Sequence, residues 1–261
     1  MRHGEFHHPR LVRVYDAECP WARDDDWFLA LVDETPAVRV LDLGCGTGRL
    51  ALGVAAAGHT VTGVDPAGPS LAAARARPGA DRVTWIEGTS AALPGRSFDV
   101  AVMTSHVAQF FVDDAEWART LADLARALVP GGRLAFDSRD PADRRWERWN
   151  PVDSRRLITL PDGDVVRAWT EVTAVAGGVV GYTHHYLFAD GEELLSSATL
   201  RFRTEEELRV SLRAAGFTVE RVSGGWGGEP VGRGDGEFLV VARRTSTPGT
   251  DDLGVGAACL P

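Results

Sequence analysis

Val40-Leu41-Asp42-Leu43-Gly44-Cys45-Gly46-Thr47-Gly48 decides the fold. An apolar run that opens at Val38 reads as a short buried strand. It passes straight into three alternating glycines, and Arg49 to Ala57 then reads as a helix stopped by Gly58. Glycine has no Cβ, so such a turn can bend tightly and let a ligand approach the backbone. The helix that follows offers unpaired N–H groups at its start. The spacing is G-x-G-x-G and not the G-x-G-x-x-G of dinucleotide sites, so a pyrophosphate is the less natural ligand. Thr60 to Val64 forms the next strand and ends at Asp65-Pro66. A carboxylate at that strand end can accept hydrogen bonds from both hydroxyls of a ribose. The plainer alternative is that Asp65 caps the turn before Pro66.

Outward from this unit the same rhythm continues. Helix signals fall over Ser70 to Arg77 and Asp113 to Leu128, the second opening on a capping-box pattern of Asp113 and Glu116. Strand signals fall over Arg82 to Glu87, Phe98 to Met103 and, after Pro130-Gly131-Gly132, Arg133 to Asp137. Strands alternating with helices predict a parallel sheet covered on both faces. Near Arg139 the pattern changes. Residues 155–160, 165–175, 179–188 and 194–203 read as strands joined by turn residues, an antiparallel meander inserted into the α/β unit. Thr204 and Glu207 open a further helix that ends at Gly216, and Phe217 to Val222 and Phe238 to Ala242 supply the last two strands.

The predicted fold class is therefore α/β: a seven-stranded, mostly parallel, doubly wound sheet with an antiparallel last strand, plus the inserted antiparallel β meander. The expected divisions are an N-terminal tail and lid helix over 1–35, a ligand-binding α/β core over 36–138 and the meander as a substrate cap over 139–203. Residues 204–244 complete the core, and 245–261 form a disordered tail. Within the first division residues 1–10, with His3, His7 and His8, read as loose chain.

Composition narrows the function. The net charge of −9 over 261 residues works against a broad phosphate-binding surface. The three cysteines, Cys19, Cys45 and Cys259, are widely spaced, which speaks against a disulfide framework or a structural zinc site. All 28 basic residues are Arg, so neither a Walker-type loop nor Schiff-base chemistry is available. No apolar run reaches the length of a membrane span, and the first ten residues do not read as a signal peptide. A cytoplasmic protein without membrane or nucleic-acid partners, monomeric or homodimeric, is expected.

The quoted stretch resembles the first motif of the class I S-adenosylmethionine (SAM)-dependent methyltransferases. Val61-Thr62-Gly63-Val64-Asp65 is similar to that family's second strand, Phe98-Asp99-Val100-Ala101-Val102-Met103 to its fourth, and Leu128-Val129-Pro130-Gly131-Gly132-Arg133-Leu134 to its turn before strand five. The likeness covers residues 38–138 and resumes more weakly over 204–243. It implies SAM as cofactor, S-adenosylhomocysteine (SAH) as product and a small-molecule acceptor methylated on O, N or C. It also implies that Gly44, Gly46 and Gly48 pass along the methionine part, with Asp42 near its ammonium and Asp65 on the ribose. Where the family often has Gly-Asp after the third strand, this chain has Gly88-Thr89, so Thr89 becomes a neutral candidate at the adenine.

His106, after the fourth strand, is the candidate general base, since an imidazole titrates near neutrality; alternatively it only shapes the pocket. Tyr15 is a candidate on the segment that folds over SAM in similar enzymes, and Gln109 a candidate for orienting substrate. His184 shares a strand face with Tyr182 and Tyr186, a face that could meet the acceptor or simply be half buried. His184 and His185 face opposite sides, which disfavours a metal site there. A SAM-binding enzyme that catalyses a rearrangement or cyclisation is the alternative; a regulatory SAM-binding module and a macromolecular methyltransferase are weaker ones.

Overall fold

The computed structural model describes residues 1–245; the tail expected beyond Thr245, with Cys259, lies outside the described residues. The order of the core is β1 (Arg39–Leu43), α4 (Arg49–Ala56), β2 (Thr60–Asp65), α5 (Gly68–Arg75), β3 (Val83–Glu87), β4 (Phe98–Met103), α6 (Asp114–Ala127) and β5 (Leu128–Arg139). Before it come α1 (Gly4–His7), α2 (Pro9–Glu18) and α3 (Arg23–Asp33), and after the insertion α7 (Glu205–Ala214), β10 (Phe217–Ser223) and β11 (Glu237–Arg244). Seven strands make one sheet in the order β10-β11-β5-β4-β1-β2-β3. The first five strands in sequence run parallel to one another, and β11 lies antiparallel to both β5 and β10.

Helices cover both faces, which explains why β1 and β4 read as continuous apolar runs and not as alternating ones. On one face Trp117, Leu121 and Leu124 of α6 pack with Phe136 of β5 and Leu212 of α7. On the other, Phe28 and Val32 of α3 join Val54 of α4 against Val40 and Val102. Asp113 caps α6 by accepting the Glu116 N–H at 2.8 Å. Thr204 and Glu207 form the full reciprocal box at the start of α7.

The insertion forms its own four-stranded antiparallel sheet: β6 (Arg156–Thr159), β7 (Val165–Ala176), β8 (Val179–Leu187) and β9 (Glu193–Arg201), in that order. Two readings of the sequence need correction. Strand β5 begins at Leu128, because the Pro-Gly-Gly segment is carried into the sheet through an irregularity opposite Phe98 and Val100. The first ten residues are not loose. His3 donates its N–H to the Ser197 carbonyl and the Met1 carbonyl accepts from Ser197 N–H, a parallel bridge onto the edge strand β9. Helices α1 and α2 follow, and Leu11 and Val14 join the core of the insertion. The long-range partner on β9, over 190 residues away, could not be read from local pattern.

Candidate active site

The chain order of the sheet reverses between β1, which continues to β2, and β4. A crevice opens beyond the carboxyl ends of strands at such a point. Here it is a cavity of about 510 Å³ floored by the glycine loop. The Gly44 φ of +80° is one that only glycine adopts without strain, and a Cβ there would stand 2.5 Å from Val107 Cγ2. Gly48 also has φ +80°, and its Cβ would meet the Trp85 ring at 2.5 Å. The first and last glycines are thus fixed by close packing as much as by the turn.

Asp65 reaches into the loop. Its two oxygens accept the Gly46 and Ala67 N–H groups, each at 2.8 Å, so it does cap its own turn. A carboxylate has about four acceptor positions, so two remain beyond these bonds, and Asp65 lines the cavity. Burial raises its pKa. Asp42 lies deeper, 2% exposed, with Oδ1 lacking any partner. Burial, and then the nearby Asp65 charge, push its pKa up to about 7. An unpartnered buried acceptor beside an acid of the same sign is costly, and a bound cation would relieve it. Thr89 and Tyr15 also line the cavity, so Asp42, Gly44, Gly46, Asp65, Thr89 and Tyr15 come together at one place.

The other candidates lie elsewhere. His106 is not among the lining residues, although Ser105 and Val107 on either side of it are. Both Ser105 and His106 are left-handed, with φ +54° and +64°. The pair turns the imidazole toward Glu237, whose Oε2 is 3.0 Å from Nε2, with Asp137 Oδ2 at 3.3 Å. Asp137 Oδ2 also accepts the His106 N–H at 3.0 Å. The ring's recorded partners are thus these two carboxylates. His106, Asp137 and Glu237 put ligand atoms within 4.8 Å of one another. Arg145, 3.5 Å from Glu237, already supplies positive charge there.

Gln109 is wholly buried, and its Oε1 accepts from Arg139 Nη1 at 2.9 Å. His184 Nδ1 shares a hydrogen bond with Thr170 Oγ1 at 2.7 Å under the insertion sheet, and burial pulls its pKa down to about 3. Neither lines the cavity.

Residues missed by the sequence reading form its roof. His3 and Phe6 of the N-terminal segment line it with Phe110, the His3–Phe110 and Phe6–Phe110 ring centroids being 5.5 and 5.8 Å apart. Arg49 ties this segment to the loop. Its guanidinium donates to the Pro20 carbonyl at 2.8 Å and to Ser105 Oγ at 3.2 Å, and pairs with Asp25 at 3.1 Å. An Arg directly after the glycines was the available signal, but its partners are set by tertiary structure.

A family model described as a methyltransferase domain matches residues 40–132, the segment that builds the cavity floor. A cypemycin N-terminal methyltransferase from a Streptomyces species is 32% identical over 209 residues, covering 78% of this chain and 82% of that protein. The nocamycin O-methyltransferase of Saccharothrix syringae is 31% identical, covering 81% and 71%. The solved CcbJ methyltransferase of Streptomyces caelestis superposes with a TM-score of 0.73 at 21% identity, over 94% of this chain and 99% of that one, and shares the fold. The chain belongs to the class I SAM-dependent methyltransferases. Methyl transfer from SAM, and not a rearrangement on the same scaffold, is the activity these matches support.

Proposed function

We propose that this enzyme methylates a small molecule held between the glycine-loop cavity and the four-stranded sheet, which acts as its cap. The observation that carries the reading is the buried, unpartnered Asp42 Oδ1 in the floor of a roofed cavity that Asp65 also lines. In this reading Asp42 meets the ammonium, Asp65 the ribose hydroxyls, the Gly44–Gly48 backbone the methionine arm, and Thr89 the adenine. Bound SAM supplies a methyl group activated by a sulfonium, so the protein needs no covalent nucleophile. Its residues hold the reacting atoms in line and keep water out. His3, Phe6, Tyr15 and Phe110 do the latter from above, and their ring faces suit a sulfonium cation. His106 becomes a positioning residue, since its contacts hold the turn that carries Ser105 and Val107.

The two relatives act, by their names, on the N terminus of cypemycin and on nocamycin. A roofed cavity of this size and a net charge of −9 fit a small acceptor better than nucleic acid. No helix among the described residues is long and apolar enough to cross a membrane. The reading includes a cytoplasmic enzyme, monomeric or homodimeric, which light scattering would resolve. The central test is calorimetry with SAM, followed by SAH formation with a panel of amines, phenols and carboxylic acids. Binding and SAH release above the acceptor-free rate are expected; absence of SAM binding would overturn the reading.

A further inference from the structure

Arg139, at the end of β5, has no ion pair among the described residues although burial withdraws most of its side chain from water. It lies between the core and the cap, with its guanidinium carbon 5.5 Å from the Trp149 ring centroid. Its sole hydrogen bond runs from Nη1 to Gln109 Oε1. Nε is buried and unpartnered, and Nη2 donates to no protein atom. The Gln109 Nε2 beside it is likewise buried without an acceptor, on a side chain 0% exposed. Glu237 and Asp137 act on Arg139 from a distance without pairing, as do Tyr182 and the like charge of Arg145. Burial lowers its pKa, the mark of a cation held with too little compensation.

Which donors are free is informative. Nε and the neighbouring Nη form the flat edge on which a guanidinium grips a carboxylate with two parallel hydrogen bonds. That edge is empty, and Gln109 fixes the fork from its other end while pointing a spare donor of its own. A buried charge left unpaired is destabilising, and a ligand carboxylate would relieve it. Gln109 is followed directly by Phe110, which lines the cavity. Arg139 is only half buried, so part of the side chain is still reachable. Tyr182 and His184, their rings 4.8 Å apart on β8, stand on the cap side.

We propose that Arg139, assisted by Gln109, docks a carboxylate of the methyl acceptor beneath the cap. This deepens the methyltransferase reading and rests on it. The test uses the full chain loaded with SAH and titrated with benzoate or with its neutral counterpart benzamide. Benzoate binds at least tenfold more tightly than benzamide to the wild type. Arg139→Met lowers benzoate affinity at least tenfold, to the benzamide level, and keeps SAH affinity within twofold. Arg139→Lys, which keeps the charge without the fork, falls between. The melting temperature of ligand-free Arg139→Met stays level or rises, because an unpaired buried charge is gone.

Equal binding of the two probes by the wild type overturns the proposal. So does benzoate affinity unchanged in Arg139→Met, or a melting temperature that collapses in that variant, which would make the guanidinium a structural tie. SAH and SAM affinities, measured in parallel, separate the two failures. Loss of cofactor binding in the wild type sinks the methyltransferase reading, whereas loss of probe discrimination with cofactor binding intact sinks only the carboxylate site.

Discussion

The floor and the roof of the cavity are built by different means. The floor comes from consecutive residues at the ends of two adjacent parallel strands, β1 and β2, whose register sets Leu43 beside Val64. Asp42, Gly44 and Asp65 need only those strands to be in place. The roof is gathered from the N-terminal segment and the turn after β4, tied to the rest by contacts such as His3–Ser197 and Arg49–Ser105. Tight local packing fixes the floor, whereas the roof is held by a few hydrogen bonds between distant parts of the chain. Substitutions in the floor should therefore act on cofactor affinity directly, and substitutions in the roof on stability or on the acceptor.

The largest effect is expected at Gly44. Gly44→Val forces a side chain into Val107 and into a left-handed backbone conformation. SAM affinity measured by calorimetry should fall at least about a hundredfold, roughly 2.7 kcal/mol. A variant that still binds SAM normally would show that the loop does not carry the ligand. Next, Asp65→Ala removes the ribose acceptor along with two bonds to the loop. The expected loss is about 1.5–3 kcal/mol of SAM binding, and unchanged affinity would leave Asp65 as a turn cap alone.

A third test uses pH. The Asp42 pKa is raised to about 7 in the folded protein, well above an unfolded carboxyl. Its contribution to stability is therefore complete below the unfolded value and is lost as pH rises through about 7. The melting temperature of the ligand-free protein should fall as pH rises from about 4 to about 7 and level off above that, less so in Asp42→Asn. On the proposed reading the SAM ammonium meets the ionised form, so affinity should rise from pH 5.5 to 7.5, and Asp42→Asn should flatten the rise. A flat wild-type profile would separate Asp42 from the ammonium.

The smallest effect on the cofactor is expected at His106. His106→Asn leaves buried Asp137 and Glu237 short of a donor, costing about 1–3 kcal/mol of stability. SAM affinity should stay within twofold. An unchanged melting temperature together with abolished methyl transfer would instead return His106 to the chemistry.

What could be read in the sequence follows the same division. Seven strands, the antiparallel end and the four-stranded insertion are all marked by local periodicity and turn residues, and they stand as the sequence predicts. That Asp42, Gly44, Gly46 and Asp65 share one cavity could be anticipated because one β–α–β unit carries them. The partners of His106, Asp137 and Glu237, could not be foreseen, because strand-end position says which residue is near a site and only backbone dihedrals say where its ring points. The left-handed Ser105–His106 pair has no glycine to announce it. His3 and Phe6 were passed over as loose chain because their order depends on an edge strand near the other end of the molecule. Arg139 looked like one basic residue among 28, and only three dimensions reveal that its neighbours leave it unanswered.

The bridge from Met1 and His3 to Ser197 has a kinetic consequence. Those first residues hold His3 and Phe6 against the chamber by pairing with an edge strand, so peeling the strap would widen the way in and out for a molecule the size of SAM. Weakening the strap should quicken arrival and departure together, so that residence time shortens while the equilibrium constant moves far less.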